Sequence, residues 1–191
     1  SILPAYRGAS PVEAAIALGE AETGVSLMQV VKEMDAGAVA DCERVFIENV
    51  DTSPIVRNKV GQAVITLLER NLKASLLGLL TLAPQNASLA TQCRKIRKED
   101  GALDFAQPAT SIEARLRAFT PWPGGYFYHG GTRVKVGKCS LAEPITSAQP
   151  GSVILAGENL DVATGLGVLR IHELQRPGGR MLPVSDFLRG Y

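Results

Sequence analysis

The pattern of apolar residues changes at residues 82–89, and this change limits the folds that the chain can adopt. The stretch combines proline, glutamine, asparagine and serine, and it follows neither a helical nor a strand period. Long helical periodicity precedes it, whereas short apolar runs broken by glycine and proline follow it. Although 191 residues could form one domain or two, the break predicts two domains, at residues 1–83 and 94–191, joined by a linker at 84–93.

The first part of the chain mixes helices with strands. Residues 11–18 are predicted to form a short helix, because Pro11 stands at the first helical position after Ser10 and apolar residues follow. Residues 25–31 and 44–48 are predicted to be strands, the first of them buried on both faces. The part before the break is therefore expected to be α/β.

A long helical pattern follows these strands. Residues 51–54 (Asp-Thr-Ser-Pro) are typical of a helix start, and apolar residues then recur at helical spacing as far as Leu76. Either one long helix or two helices that meet near Gly61 would satisfy this pattern.

The second part has the pattern of a small β domain. One helix is predicted at residues 110–118, capped near Thr110 or Ser111. Turns that contain glycine or proline separate several short apolar runs. These runs are predicted to be strands, at residues 125–128, 132–141, 152–156, 159–163 and 168–174. About five strands of this length are typical of an OB-like barrel.

Charge and cysteine content exclude several classes of protein. The chain carries 20 basic and 19 acidic side chains, so contact with RNA would have to come from a local cluster of cations. The longest apolar stretch, residues 74–83, is too short to cross a bilayer, and no export signal is visible. Three separated cysteines and two histidines give no zinc pattern. We expect a soluble protein of a reducing compartment that binds no metal.

Four short motifs occur in a characteristic order in the first part. They are Ser1-Ile2-Leu3-Pro4, Arg7-Gly8, Thr23-Gly24 and Met34-Asp35-Ala36-Gly37. This set resembles the signature of enzymes that use 10-formyltetrahydrofolate, in which Ser-Leu-Leu-Pro-x-x-Arg-Gly is followed by Thr-Gly and by Leu-Asp-x-Gly. The resemblance implies that the first part is the C-terminal portion of a Rossmann-like formyltransferase domain with a parallel sheet.

Motifs in the second part narrow this resemblance. They are residues 94–101 (Arg-Lys-Ile-Arg-Lys-Glu-Asp-Gly), 103–105 (Leu-Asp-Phe), 115–119 followed by Pro-Trp-Pro-Gly at 121–124, and 186–190 (Asp-Phe-Leu-Arg-Gly). Together they resemble the methionyl-tRNA formyltransferase family from the first residue to the last. The resemblance implies a cytoplasmic enzyme, bacterial or of an organellar matrix, that is a monomer when complete and has no membrane partner. Its reaction would transfer a formyl group from 10-formyltetrahydrofolate to the methionine of initiator methionyl-tRNA.

The resemblance also implies roles for residues of the first part. Asp35 would be the carboxylate that moves protons during formyl transfer, and the backbone of residues 31–35 would form one wall of the folate pocket. The residues that would contact the folate are Ser1, Ile2, Leu3, Pro4 and Asp35. The alternative from the sequence alone is that Asp35 is a solvated turn residue beside Gly37.

A cluster of cations marks the start of the second part. The residues expected to contact tRNA phosphates are Arg94, Lys95, Arg97, Lys98, Arg115 and Arg117. The alternative is that the first four belong to a solvated charged linker and that the last two are surface arginines of a helix.

One departure from the family pattern stands at the start of the chain. In the family, a histidine two residues before the first serine and an asparagine two residues before that histidine supply hydrogen-bond donors, and this chain begins at Ser1. We therefore expect the chain as given to be inactive by itself. Two other functions stay open: tRNA binding without chemistry, and folate-dependent formyl transfer to a nucleotide sugar.

Overall fold

The computed structural model describes residues 1–143 and 147–190. The chain divides into two compact units, Ser1–Ile96 and Arg97–Tyr191. Each unit has its own core, so each is described separately.

The first unit is α/β, as predicted. Its elements are β1 (Arg7–Gly8), α1 (Pro11–Ala17), β2 (Glu22–Met28), β3 (Val39–Phe46), α2 (Ser53–Leu76) and β4 (Gln92–Cys93). Strands β2 and β3 form an antiparallel pair, and β1 pairs with β4 in parallel over two residues. Helix α2 packs against the β2–β3 pair.

The strand expectations for this unit are corrected, and of the two helix alternatives the single helix is observed. The strand predicted at 44–48 spans Val39–Phe46. The strand predicted at 25–31 lies at Glu22–Met28, and most of it is only half-buried because it has a single partner strand, β3. The single helix α2 runs through Gly61, where an added Cβ would meet only open space. A lone exposed glycine costs a helix about 1 kcal/mol, which a helix of 24 residues packed on a sheet tolerates.

The core of the first unit lies where α1 and α2 approach the β2–β3 pair. Ile16 and Val56 are almost fully buried there, and Leu67 is 2% exposed. The Nε of Arg57 on α2 donates a hydrogen bond of 2.9 Å to Glu13 on α1. The segment predicted as a linker, 84–93, contains a 3-10 turn at Ala87–Leu89 and strand β4, and it is bonded to the first unit through β1.

The second unit is β-rich. It contains a 3-10 turn (Lys98–Gly101) and the elements α3 (Ala109–Ala118), β5 (Gly125–His129), β6 (Thr132–Val136), β7 (Cys139–Ala142), β8 (Val153–Ala156), β9 (Leu160–Ala163), β10 (Val168–Ile171), β11 (Glu173–Gln175), β12 (Leu182–Pro183) and α4 (Val184–Arg189). The strands form two four-stranded sheets, ordered β7-β10-β9-β8 and β12-β11-β6-β5, and every pair in them is antiparallel.

The β elements of this unit are more divided than predicted. The runs predicted at 132–141 and 168–174 each split into two strands, at residues 137–138 and at His172. Each split run contributes one strand to each sheet, so the two sheets share a core that includes Ile112, Leu169 and Leu174. Among the described residues, the strand pairings make two sheets and do not close a ring.

Within residues 1–143 and 147–190, no helix is both long and apolar enough to cross a membrane.

Candidate functional site

The Asp35 carboxylate is attached to the opening segment of the chain. Its Oδ2 accepts a hydrogen bond of 2.8 Å from the backbone N–H of Gly8. The other oxygen, Oδ1, accepts no hydrogen bond from the part of the chain that the structure describes. Asp35 is half-buried and has a φ of 53°, in the left-handed region. One carboxylate oxygen is thus fixed, and the other remains available to a ligand or to water.

Asp35 lies in the loop of residues 29–38, which joins the antiparallel strands β2 and β3. It thus lies in the loop after a strand, as expected, but that strand belongs to an antiparallel pair and not to a parallel sheet. Gly37 fixes the path of this loop, because an added Cβ would lie 1.8 Å from the carbonyl oxygen of Gln29. The Gln29 N–H donates to the Ala38 carbonyl at 2.8 Å and closes the loop.

Gln85 connects this loop to the buried Arg7. Its Nε2 donates to the carbonyl oxygens of Asp35 at 2.8 Å and of Gly37 at 2.7 Å. Its Oε1 accepts from the Nη2 of Arg7 at 2.7 Å and from the Nε at 3.2 Å. Arg7 is 7% exposed, and no carboxylate of the described residues lies within ion-pair distance of it. One neutral amide therefore holds both the loop and the guanidinium.

The opening tetrapeptide is held by Ser26 on β2. The backbone N–H of Leu3 donates to Ser26 Oγ at 3.1 Å, and that hydroxyl donates to the Ser1 carbonyl at 3.0 Å. All four residues, Ser1, Ile2, Leu3 and Pro4, are half-buried. The folate contacts expected of them remain a prediction.

A cavity of about 210 Å³ lies beside this tetrapeptide. Its lining residues are Ile2, Ala5, Tyr6, Glu20, Glu22 and Thr23. The Tyr6 hydroxyl donates to Glu20, and burial together with this bond raises the pKa of Tyr6 to about 12. Of the residues predicted to contact folate, only Ile2 lines this cavity; Asp35 does not.

The cations predicted to bind RNA fall into two groups. Arg94, Lys95, Arg97 and Lys98 are all exposed. Within the described residues, neither lysine makes an ion pair, whereas the Nη1 of Arg94 donates to the Lys95 carbonyl at 3.1 Å. These four side chains are thus accessible to a polyanion.

Arg115 and Arg117 on α3 are half-buried and have partners within the chain. The Nη2 of Arg115 donates to the Asp100 carbonyl at 2.8 Å, and its guanidinium lies 5.1 Å from the centroid of the Phe119 ring. The Nε of Arg117 pairs with Glu113 at 2.7 Å. Their contact with RNA remains a prediction.

Sequence patterns gave no sign of Gln85, because it stands in a stretch without periodicity and its role depends on contacts 48 and 50 residues away. The described residues contain no cluster of three histidine, cysteine or acidic side chains that could hold a metal ion.

Two family models match the chain. The model described as "Formyl transferase" matches residues 1–72, and the one described as "Formyl transferase, C-terminal domain" matches residues 95–191. Among curated proteins, a methionyl-tRNA formyltransferase of Paraburkholderia phymatum is 38% identical and one of Delftia acidovorans is 40% identical. Each alignment covers 100% of this chain and 59% of the relative. The chain thus spans about three-fifths of the length of these relatives.

Solved structures share the fold at lower identity. HypX from Aquifex aeolicus in complex with tetrahydrofolic acid is 24% identical, with a TM-score of 0.68, over 95% of this chain and 32% of that one. The sugar 3N-formyl transferase WlaRD, in the presence of dTDP and 5-N-formyl-THF, is 16% identical, with a TM-score of 0.71, over 88% of this chain and 61% of that one.

Proposed function

The chain belongs to the formyl transferase family, and on that premise we propose that it takes part in formyl transfer from 10-formyltetrahydrofolate to the amino group of methionine on initiator methionyl-tRNA. One observation carries the proposal. Relatives named methionyl-tRNA formyltransferase are 37–40% identical over the whole chain, so both units match and not only the folate-binding part.

The proposed reaction needs a group that manages protons. The amine nitrogen attacks the formyl carbon, a C–N bond forms, and the bond from that carbon to the folate nitrogen breaks. A proton must leave the amine, and one must reach the departing nitrogen. Asp35 suits this role, because Gly8 fixes its Oδ2 while its Oδ1 accepts no bond from the described residues. A positioned base of this kind contributes about 10²- to 10⁴-fold in rate.

The frame around Asp35 would keep the carboxylate in place during the reaction. Gln85 holds the backbone of Asp35 and Gly37, and Arg7 in turn holds the oxygen of Gln85. Gly37 leaves no room for a side chain beside the Gln29 carbonyl, so the loop is closely packed there. We infer that the folate lies against this loop and the tetrapeptide Ser1, Ile2, Leu3 and Pro4.

The tRNA would be held mainly by the exposed cations Arg94, Lys95, Arg97 and Lys98. Each phosphate contact would add to the dependence of affinity on salt, by a slope of about 0.9 per contact for a duplex. Arg115 and Arg117, which already bond to Asp100 and Glu113, would add further contacts.

Two further features belong to this proposal. We infer that the second unit is an OB-like barrel, which the shared runs β6–β7 and β10–β11 support because each bends from one sheet into the other. We also infer that the complete enzyme is a cytoplasmic monomer. Sedimentation of the natural protein at the mass of one chain would agree, and a dimer mass would contradict it.

The test measures formyl transfer by the natural full-length protein. Labelled 10-formyltetrahydrofolate is offered with initiator methionyl-tRNA, elongator methionyl-tRNA or a dTDP-amino sugar. We expect label on methionyl-tRNA and at least tenfold less on the sugar. Label only on the sugar would favour the second candidate, to which the structural likeness to WlaRD points. Salt-dependent tRNA binding without transfer would favour an RNA-binding module and would contradict the proposal.

A further inference from the structure

One face of the β5–β6 hairpin combines tyrosines with cations. Tyr126 pairs directly with Lys135, and Tyr128 pairs with Arg133. Residues directly opposite in an antiparallel pair point to the same side, and side chains alternate along each strand. These four residues therefore share one face, which we call the tyrosine face, while Phe127 packs toward the core on the other.

The tyrosine face is layered. The Arg133 guanidinium lies 3.7 Å from the centroid of the Tyr126 ring, which is only 7% exposed. The Tyr128 ring meets Tyr126 edge-on, with centroids 5.8 Å apart and ring planes at 90°. Tyr128 itself is 67% exposed. The buried Tyr126 ring thus packs against the Arg133 guanidinium, and the Tyr128 ring beside them is open to solvent.

The cations of this face have no acidic partner. Arg133 and Lys135 form no ion pair with the residues at 1–143 and 147–190, and the Nε of Arg133 is buried without a hydrogen-bond partner. The neighbouring strand β11 carries one acidic residue, Glu173. It lies two residues before Gln175, which is the residue that pairs with Lys135. This Nε lies out of reach of solvent, but the terminal nitrogens of the half-buried Arg133 also form no hydrogen bond with the described residues and remain open to an anion.

We propose that the tyrosine face binds an unpaired nucleotide of the RNA substrate. The base stacks on Tyr128, and Arg133 and Lys135 bind the phosphates that flank it. This inference rests on the proposed function, because it names how the second unit would hold the tRNA. The nucleotide is unpaired because both faces of a base inside a helix are already covered by its neighbours, so only a base outside a helix can stack on a side chain.

Stacking of this kind has a distinct signature. Every base has an aromatic face, so the site selects an unpaired nucleotide and not a particular base. Replacing the aromatic ring should weaken RNA binding, whereas removing its hydroxyl should not. Removing a cation should weaken binding and also reduce its dependence on salt.

The test uses the natural full-length protein and methionyl-tRNA, with dissociation constants and formyl-transfer kinetics measured together. Tyr128→Ala and Tyr128→Leu should weaken tRNA binding about 5- to 100-fold, because that is the range for loss of one stacked base. Tyr128→Phe should stay within about twofold of wild type. Each weakened variant should raise KM for tRNA and leave kcat nearly unchanged, because the face holds the RNA and does not touch the reacting atoms.

A charge change tests the phosphate contacts separately. Lys135→Ala should lower the slope of log affinity against log salt by about one unit. Arg180→Ala is the matched control, because Arg180 is exposed in the same unit, lies between β11 and β12, and forms no hydrogen bond or ion pair with the described residues. It should leave both the slope and the affinity unchanged.

The outcomes separate this inference from the proposed function. If the wild-type protein transfers no formyl group to methionyl-tRNA, the proposed function fails and this inference fails with it. If wild-type transfer is normal and both Tyr128→Ala and Tyr128→Leu bind tRNA within twofold of wild type, the inference alone is overturned. Equal losses of tRNA affinity in Lys135→Ala and Arg180→Ala would also overturn it, because they would show that binding depends on the net charge of the unit and not on this face.

Discussion

Replacing Gln85 by alanine should loosen the loop that carries Asp35. The change removes two hydrogen bonds, from Nε2 to the carbonyls of Asp35 and Gly37, at 2.8 and 2.7 Å. It also removes the Oε1 atom, which accepts hydrogen bonds from the guanidinium of Arg7, a residue that is only 7% exposed. No other side-chain hydrogen bond among the described residues connects Arg7 to this loop.

The size of the effect follows from these bonds. Each neutral hydrogen bond contributes about 1 kcal/mol net, and a bond from a charged donor contributes about 2 kcal/mol. Gln85 is half-buried, so water replaces part of what is lost. We therefore expect the free energy of local opening to fall by about 3 kcal/mol, which corresponds to an acceleration of amide exchange of about 150-fold.

Hydrogen exchange of the natural protein measures this opening at single amides. The Gly8 and Gln29 amides report on it directly, because Gly8 donates to Asp35 and Gln29 closes the loop. Gln62→Ala is the matched control, since Gln62 is exposed on α2 and makes no hydrogen bond with the described residues. Exchange at Gly8 in Gln85→Ala that stays within threefold of wild type would refute the assignment of Gln85 as the residue that holds the loop.

Other positions in the first unit give separate tests. Gly37→Ala should destabilise this unit by about 3 kcal/mol, because its Cβ would meet the Gln29 carbonyl at 1.8 Å; an unchanged melting temperature would contradict this. Arg70 lowers the pKa of Asp41 to about 2, so the stabilisation by this ion pair is complete above about pH 4, shrinks as the pH falls toward 2 and is lost below about pH 2. In urea unfolding, Asp41→Asn should therefore lower the free energy of unfolding by about 1 kcal/mol at pH 5, after allowing for solvent screening, and by only a small part of that at about pH 2; equal losses at both pH values would count against it. Ultraviolet titration should find Tyr6 ionising at about pH 12, and an unaltered curve in Tyr6→Phe would exclude this assignment.

Local signals explain what the sequence could predict of the fold. Helix α1 begins at Pro11 as expected, because proline suits the first helical position. Helix α3 begins within one residue of its predicted start, but its N-cap is Pro108 and not Thr110 or Ser111 as expected. The turn at Gly130–Gly131 joins β5 to β6 and fixes their register, so the pairing of Tyr128 with Arg133 could have been read from the sequence.

Long-range contacts explain what it could not. The strand predicted at 25–31 begins three residues earlier, because its register is set by pairing with β3 and not by its own composition. The runs predicted at 132–141 and 168–174 bend from one sheet to the other. Such a bend has no distinct periodicity in the sequence, so it could not be predicted. Asp35 could be singled out from the resemblance, whereas the hydrogen bond that joins it to Gly8 required the structure.

The central claim is that the Asp35 carboxylate acts in formyl transfer. Asp35→Asn tests it in the natural protein, because an amide oxygen can still accept from Gly8 while the side chain can no longer take up a proton. The control is Glu33→Gln, an equal loss of charge at an exposed position of the same loop.

We expect kcat for methionyl-tRNA formylation to fall about 10²- to 10⁴-fold in Asp35→Asn, with KM for tRNA and folate within threefold of wild type, and little change in Glu33→Gln. A kcat within threefold of wild type in a folded Asp35→Asn protein would contradict the account.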